Sequence, residues 1–326
     1  MSAFHPRPQA APSLDGALPA RFAVHRRVGE GAFGVVYDAY DRERRTRVAV
    51  KTLRTVTPEA IVGLRSEFRV AQDLAHPNLV RIGELLESEG HTCFTMEFVE
   101  GDDFIRWVRP TRSEGSSDGM SGGDTTLASP REGVRAEGKR TADAPRGEAT
   151  SLKLPIRRSD AIFDERRLRL ALKQLVRGLR ALHEAGLVHR DIKPSNVLVS
   201  REGRVVILDF GIAALTARAH AAFEDQSIVG TPYYASPEQV TGESIGPESD
   251  WYSVGVVLFE AMTGQRPFEG GTLDVLSAKV RQEAPSPRSL APNLPEDLVV
   301  LCESLLRMDP LQRPSAGEIA QTLGDE

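Results

Sequence analysis

The segment His-Arg-Asp-Ile-Lys-Pro-Ser-Asn at residues 189–196, followed by Asp-Phe-Gly at residues 209–211, decides the fold of this chain. It combines a candidate proton acceptor, Asp191, with a lysine, Lys193, that can face a phosphate group. Asn196 and Asp209 supply oxygen ligands of the kind that a hard cation such as Mg²⁺ prefers. These residue types at this spacing favour phosphoryl-transfer chemistry.

A glycine-rich segment lies near the start of the chain. Gly29, Gly31 and Gly34 form a G-x-G-x-x-G string, whose backbone can approach phosphates closely and offer amide hydrogens to them. The string alone is a weak signal, because dinucleotide-binding folds also use it. Those folds need a helix directly after the glycines, whereas Val35 and Val36 begin another strand here. A Walker-type ATPase is disfavoured, since the sequence has no G-x-x-x-x-G-K-[ST] string.

These motifs, together with Val-Ala-Val-Lys at residues 48–51, resemble the protein kinase family in its Ser/Thr-type branch, and its bacterial members in particular. The resemblance extends from Arg21 to about Leu323. It implies an α+β bilobal protein kinase fold over residues 21–323, with a small lobe at 21–98 and a large lobe at 99–323.

The hydrophobic pattern agrees with that fold. The valine-rich segment at residues 21–53 predicts three strands of the small lobe, Pro58 and Glu59 open a predicted helix, and two more strands follow; the resemblance makes the five strands antiparallel. Three- and four-residue spacing of leucines from residue 163 onward begins a mainly helical lobe. The strands are predicted at 22–29, 35–40, 46–53, 80–86 and 92–98, and a hairpin at 196–200 and 205–209. The helices are predicted at 58–74, 102–108, from 163, and at 248–263, 272–282, 296–307 and 316–323.

The resemblance assigns roles to the catalytic motifs. Asp191 would accept the proton of the substrate hydroxyl, Lys193 would lie beside the transferring phosphate, and Asn196 and Asp209 would bind Mg²⁺. Lys51 would grip the α- and β-phosphates of ATP and pair with Glu67. The residues implied to surround the nucleotide are Val28, Gly29, Gly31, Phe33, Gly34, Val36, Ala49, Lys51, Met96, Glu97 and Val99.

Met96, Glu97 and Val99 resemble the hinge between the lobes. Met96 would line the back of the adenine pocket, and the backbone groups of Glu97 and Val99 would hydrogen-bond the adenine.

Residues after Asp209 resemble a kinase activation segment, which ends here in Ser236-Pro-Glu238 where the family more often has Ala-Pro-Glu. The resemblance pairs Glu238 with Arg313, lets Asp250 brace the catalytic-loop backbone, and lets Thr231 shape the acceptor site as a catalytic residue.

The same resemblance predicts a control mechanism. Arg190 would pair with a phosphate on the activation segment, which orders that segment by charge-assisted hydrogen bonds. Ser227 is the predicted phosphosite, with Thr216 and Thr231 as alternatives, and Glu224 and Asp225 could supply part of the negative charge without modification.

Composition excludes several other classes of protein. The net charge of −5 shows no basic excess, which argues against a nucleic-acid partner. With only two cysteines, Cys93 and Cys302, the chain cannot have a disulfide framework, and this low number suits a reducing cytoplasm. The two residues do not form a C-x-x-C pair, which argues against a structural zinc site. The first twenty residues lack the apolar core of a signal peptide, and no apolar stretch is long enough to span a bilayer.

Two segments lie outside the predicted core. Residues 1–20 are expected to form a disordered tail, and residues 109–159 a low-complexity insertion, since neither can bury enough apolar surface to offset its ordering entropy. The insertion is either inert or a docking or phosphorylation segment. The chain is compatible with being the catalytic portion of a longer protein.

The leading interpretation is a Ser/Thr protein kinase that uses ATP and Mg²⁺, acts on proteins with Ser or Thr acceptors, and dimerises transiently for autophosphorylation. One alternative is a nucleotide-binding pseudokinase or scaffold, which the intact catalytic positions argue against. Another is a small-molecule phosphotransferase, which the Gly-Thr-Pro and Ser-Pro-Glu strings at 230–232 and 236–238 argue against, because those parts serve peptide substrates.

Overall fold

A computed structural model of the protein describes residues 18–31, 34–53, 65, 68–88, 91–110, 163–210 and 232–325. Residues 1–17 of the predicted N-terminal tail and nearly all of the predicted insertion lie outside these residues, whereas Leu18 is described and packs against the core of the small lobe. The first part of the predicted helix at 58–74 also lies outside them, although residues 68–73 are helical.

Five antiparallel strands form the sheet of the small lobe, as predicted. They are β1 (Phe22–Gly31), β2 (Gly34–Asp41), β3 (Thr46–Leu53), β4 (Ile82–Ser88) and β5 (His91–Glu97), in the spatial order β1-β2-β3-β5-β4. The side chains alternate between the two faces of the sheet. One face packs a small cluster that includes Phe22, Val48 and Val50. The other face, with Ala49 and Met96, joins the main core of the protein.

Gly34 begins β2 in a backbone conformation that only glycine adopts readily. Its φ is 152°, and a Cβ atom there would come within 1.7 Å of the carbonyl oxygen of Thr52. This close approach between β2 and β3 is the reason that the last glycine of the G-x-G-x-x-G string cannot be exchanged for a residue with a side chain.

The large lobe is mainly helical, as the predicted α+β bilobal fold requires. Its helices are α1 (Phe104–Val108), α2 (Glu165–Glu184), α3 (Pro237–Thr241), α4 (Pro247–Thr263), α5 (Thr272–Lys279), α6 (Glu296–Leu305) and α7 (Ala316–Thr322). Every residue of α4 from Ser249 to Thr263 is buried, so this helix is the centre of the lobe. In α2, Gly178 packs so closely against Ile207 that a Cβ atom would lie 2.7 Å from its side chain.

A second sheet of three strands lies in the large lobe: β6 (Gly101–Asp103), β7 (Val197–Ser200) and β8 (Val205–Ile207). The sequence predicted a helix from residue 102, which is wrong at its start because residues 101–103 pair with β7. Asp103 caps α1 by accepting a hydrogen bond from the backbone N–H of Arg106, which fixes the helix start at Phe104.

Other predicted ends are wrong by a few residues. The helices at 272–282 and 296–307 end at Lys279 and Leu305, and β8 ends at Ile207 rather than at Asp209. Asp209 leaves the strand because its φ is 59°, in the left-handed region.

Arg109 was predicted to open the insertion, but it is buried and belongs to the packed lobe. Its Nη1 donates hydrogen bonds to the carbonyl oxygens of Ala261 and Met262, at 3.0 Å and 3.2 Å. It therefore ties the end of α1 to the end of α4.

Both cysteines are buried and free, and burial raises the pKa of Cys93 to about 11. Within the described ranges, no helix is both long enough and apolar enough to cross a membrane.

Candidate active site

The loop between α2 and β7 carries the predicted proton acceptor and is held by a buried carboxylate. Asp250, on α4, accepts hydrogen bonds from the backbone N–H groups of His189 and Arg190, each at 2.8 Å. It also bonds the side chain of His183 at 2.8 Å. The structure thus contains the brace that was expected of Asp250, and adds His183, which sequence reasoning did not identify.

His189 connects this loop to the end of β8. Its Nε2 is 2.7 Å from the carbonyl oxygen of Leu208, and its Nδ1 accepts a hydrogen bond from the backbone N–H of Asp191 at 3.2 Å. Because a neutral imidazole has one donor and one acceptor nitrogen, these partners fix the Nε2–H tautomer. The ring is fully buried. It therefore fixes the position of Asp191 relative to Asp209.

Asp191 is surrounded by the residues that the motif places near it. Its Oδ2 accepts hydrogen bonds from Lys193 Nζ at 2.7 Å and from Asn196 Nδ2 at 3.0 Å. Asn196 Nδ2 also donates to the backbone carbonyl of Asp191 at 2.8 Å. Lys193 and Asn196 thus orient the carboxylate as two donors. Both bonds from Asn196 use its amide nitrogen, and its amide oxygen takes part in neither.

Lys51 and Asp209 meet across the two lobes. Lys51 Nζ lies 2.7 Å from Asp209 Oδ2, and both side chains are largely shielded from solvent. Burial of an unpaired ammonium would be costly, and this ion pair satisfies Lys51. The other oxygen, Asp209 Oδ1, is buried without a hydrogen-bond partner among the described residues.

The strand register brings the predicted nucleotide-facing residues onto one face of the sheet. Val36 is paired with Lys51, and Ala49 with Met96. Directly opposed residues share a face, as do residues two apart, so all four side chains lie on the face towards the large lobe. Gly29 and Gly34 lie at the adjoining ends of β1 and β2, opposite Val36 and Gly31 respectively.

The hinge has a link to the large lobe that the sequence did not reveal. The carboxylate of Glu97 accepts hydrogen bonds from Arg204 at 2.5 Å and 3.1 Å, and Arg204 Nε donates to the carbonyl oxygen of Pro77 at 2.8 Å. The bond from Arg204 holds the pKa of Glu97 below its usual value. Arg204 lies in the turn between β7 and β8, where a charged residue is ordinary, so no sequence signal marked it.

A buried ion pair fixes the segment before α3. Arg313 donates to both oxygens of Glu238, at 2.7 Å and 2.8 Å, and Ser249 donates to the same carboxylate at 2.6 Å. Burial would raise the pKa of Glu238, but the hydrogen bonds from Arg313 and Ser249 outweigh it and the pKa lies below its usual value. The structure therefore contains the pair that the sequence predicted.

The sequence profile of the protein kinase domain matches residues 22–121 and 146–323. The chain belongs to the protein kinase family. The profile leaves out residues 122–145, which lie inside the segment that the sequence predicted as an insertion into the kinase domain.

Curated relatives of this kinase domain include bacterial protein kinases. The serine/threonine-protein kinase PknA of Mycobacterium tuberculosis is 32% identical over 94% of this chain and 61% of its own length. The serine/threonine-protein kinase pkn2 of Myxococcus xanthus is 32% identical over 94% of this chain and 32% of its own length. The tyrosine-protein kinase MasK of Myxococcus xanthus is 30% identical over 93% of this chain and 42% of its own length. The chain thus spans between about a third and three fifths of the length of these relatives.

Several predicted site residues of the kinase lie outside the described residues. These are Glu67, Phe33, Thr231 and Ser227, with the alternative phosphosite Thr216. Val28 lies on β1 and is 48% exposed, and Val99 packs against the main core.

A buried lysine beside the kinase's Ser-Pro-Glu segment was not identified from the sequence. Lys279, the last residue of α5, is fully buried, and its Nζ donates to the carbonyl oxygen of Ala235 at 2.7 Å. The Nζ also lies 4.9 Å from the ring centre of Tyr252. A lysine at the end of a helix normally faces solvent and interacts with the helix dipole, so nothing in its sequence position marked it as buried.

Proposed function

We propose that this chain is an active Ser/Thr protein kinase domain that transfers the γ-phosphate of ATP to Ser or Thr hydroxyls of proteins. The observation that carries the proposal is the arrangement around Asp191, whose carboxylate is oriented by Lys193 and Asn196 within a loop braced by Asp250. A carboxylate held in this way can accept the proton of an incoming hydroxyl. Lys193 lies beside this carboxylate and would place a positive charge next to the transferring phosphate.

The nucleotide would lie on the sheet face formed by Val36, Ala49, Lys51 and Met96. Lys51, which pairs with Asp209 here, would contact the α- and β-phosphates. The backbone of the glycine-rich turn between β1 and β2 would cover the phosphates, and the hinge at Glu97 and Val99 would hold the adenine.

Mg²⁺ fits the residues at the end of β8. The unpartnered, buried Asp209 Oδ1 is an anionic oxygen with unused acceptor capacity. Asn196 uses its amide nitrogen on Asp191, which leaves its amide oxygen free to act as a ligand. Two protein oxygens with phosphate oxygens and water make the set that Mg²⁺ prefers. When bound, the cation would neutralise charge on the phosphates, while Asp191 and Lys193 act on the acceptor and the transferred group.

The acceptor hydroxyl is proposed to be Ser or Thr rather than Tyr. Lys193 stands two residues after Asp191 and bonds it directly, as in the Ser/Thr-type pattern. One relative is named a tyrosine kinase, so the identity of the phosphorylated amino acid has to be measured.

Activity is proposed to rise when Ser227 is phosphorylated, by the chain itself in a transient dimer. Arg190 supports this proposal, because its Nε is buried and has no hydrogen-bond partner among the described residues. A phosphate is a strong acceptor for a guanidinium in that position.

The test is incubation of the purified chain with γ-labelled ATP and Mg²⁺, with Asp191→Asn and Asp209→Ala as matched variants, followed by phosphoamino-acid analysis and site mapping. We expect label on Ser or Thr in the wild type only. Asp191→Asn should bind ATP and transfer no phosphate, and Asp209→Ala should lose Mg²⁺-dependent nucleotide binding as well. A wild type that binds ATP without labelling itself or a generic basic protein would favour a pseudokinase, and label on Tyr would overturn the choice of acceptor.

Ser227→Ala tests the regulatory part separately. We expect it to lose one phosphopeptide and part of the kcat of the phosphorylated wild type. Unchanged activity with no lost phosphopeptide would refute the switch and leave the catalytic proposal standing.

A further inference from the structure

The catalytic loop has an unusual backbone conformation directly before Asp191. Arg190 has a φ of 68°, in the left-handed region that residues other than glycine rarely adopt. A residue stays in such a conformation only when its surroundings hold it there. Asp250 supplies one contact by accepting a hydrogen bond from the Arg190 N–H at 2.8 Å.

Gln239 supplies the other contact. Its side-chain Nε2 donates a hydrogen bond to the carbonyl oxygen of Arg190 at 2.8 Å. The N–H and the C=O of Arg190 are therefore both held by side chains from the large lobe. Holding both groups of one residue restricts both of its backbone dihedral angles. The direction in which the next residue, Asp191, leaves the loop is thereby fixed.

The position of Gln239 is itself fixed by its neighbours in the chain. It lies on α3, next to Glu238, whose carboxylate is held by Arg313. Its Oε1 accepts a hydrogen bond from the backbone N–H of Ser236 at 2.9 Å. One side-chain amide thus has two tasks: its oxygen caps α3, and its nitrogen holds the catalytic loop.

We infer that Gln239 is a positioning residue for phosphoryl transfer, which couples the Ser236–Glu238 segment to the peptide that carries Asp191. The inference rests on the proposed kinase activity. It assigns to Gln239 an effect on kcat, because the side chain is linked to Asp191 through Arg190 and is not among the residues that surround the nucleotide.

Two substitutions separate the two tasks of the amide. Gln239→Glu keeps an oxygen that can accept from Ser236 N–H but loses the donor to Arg190. Gln239→Lys supplies a donor of similar reach and loses the acceptor. If the bond to Arg190 matters for catalysis, kcat should fall only in the variant that lacks the donor, and the capping of α3 should weaken only in the variant that lacks the acceptor.

We expect Gln239→Glu to lower kcat about tenfold, which corresponds to about 1.4 kcal/mol. Its KM for ATP and its melting temperature should stay close to the wild-type values. Gln239→Lys should keep kcat within about twofold of wild type and melt a few degrees lower, as expected for a lost cap.

The chain offers a matched control at α7. There Glu318 accepts a hydrogen bond from the backbone N–H of Ser315 at 2.8 Å, in the same capping geometry. Glu318→Gln makes the reverse exchange at a helix start that does not contact the catalytic loop. It should leave kcat unchanged.

A Gln239→Glu variant with wild-type kcat would overturn the inference, and so would a Gln239→Lys variant that loses as much kcat as Gln239→Glu. If Gln239→Glu is unfolded at the assay temperature, Gln239→Met, which lacks the donor and adds no charge, replaces it with the same expectation for kcat; because it also lacks the capping oxygen, its melting temperature should fall as in Gln239→Lys. The wild type is measured beside Asp191→Asn in the same series. Wild-type activity no higher than that blank would refute the kinase proposal itself, whereas an active wild type with an unaffected Gln239→Glu refutes only the role of Gln239.

Discussion

Replacing Lys279 by methionine should change how the stability of the protein depends on pH. Lys279 is buried against Ala235 and Tyr252, and the charged groups that act on its pKa are Arg266 and Glu238. Burial lowers its pKa from the ordinary 10.5 to about 7; Arg266 lowers it as well, and Glu238 raises it. The difference between these two pKa values corresponds to about 5 kcal/mol of unfolding free energy, at about 1.36 kcal/mol per pKa unit.

The sign follows from proton binding in the two states. Between pH 7 and 10.5 the unfolded chain keeps a proton on Lys279 that the folded protein has released, so the unfolded state binds more protons. The free energy of unfolding must then rise with pH by up to about 1.4 kcal/mol per pH unit from this group alone. The gain is complete above 10.5 and is lost as the pH falls to about 7.

Urea unfolding of the wild type and of Lys279→Met at pH 7, 8 and 9 measures this contribution, because all other titrating groups are common to both proteins. The difference between their unfolding free energies should shift in favour of the wild type by about 1 kcal/mol from pH 7 to 8, where folded Lys279 is still partly protonated, and by about 1.4 kcal/mol from pH 8 to 9. Methionine has a similar length and packs well in irregular cores, so the variant should fold. If the unfolding free energies of the wild type and of Lys279→Met change with pH in parallel, Lys279 is charged in the folded protein and the reasoning is refuted.

Three further changes test other contacts. Arg313→Met leaves the buried carboxylate of Glu238 without its guanidinium and should lower the free energy of unfolding by about 3–5 kcal/mol in urea titration; adding Glu238→Gln should recover part of that loss, and no recovery would contradict a charge effect. Arg204→Met frees the hinge carboxylate and should raise the KM for ATP by about threefold to tenfold, as for one lost charged hydrogen bond, with little effect on kcat. Arg201→Met, at an 81% exposed side chain in the same hairpin, is its control, and equal KM values in both variants would contradict the hinge role. Asp250→Asn points an amide nitrogen at one of the backbone donors and should lower kcat about tenfold to a hundredfold in steady-state assays; a wild-type rate would refute the brace.

Much of the fold and of the site could be predicted because the relevant residues are close in the sequence or follow a regular period. Asp191, Lys193 and Asn196 fall within one loop, and the spacing of the motif is enough to bring them together. The first three of the five strands followed from the valine-rich segment at residues 21–53.

The missed contacts join residues that are far apart in the sequence and ordinary in type. Arg204 and Glu97 are separated by 107 positions, and each lies where a solvent-exposed charge is common. Lys279 has the position of a helix-ending cation, and the residues that it contacts inside the protein, Ala235 and Tyr252, lie far from it in the sequence. The observed helix ends also differ from the predicted ones. Caps such as Asp103 depend on side-chain geometry, which hydrophobic periodicity does not encode.

The contacts of Arg190 limit what phosphorylation of Ser227 can change. The backbone N–H and C=O of Arg190 are held by Asp250 and Gln239, while its Nε has no partner among the described residues. A phosphate could then be bound by the guanidinium without a change in the path of the catalytic loop, so activation would act through charge and side-chain order. We expect amide hydrogen exchange at residues 189–191 to be equally slow in the phosphorylated protein and in Ser227→Ala. Faster exchange there in the unphosphorylated form would show that the phosphate, rather than Asp250 and Gln239, holds the loop.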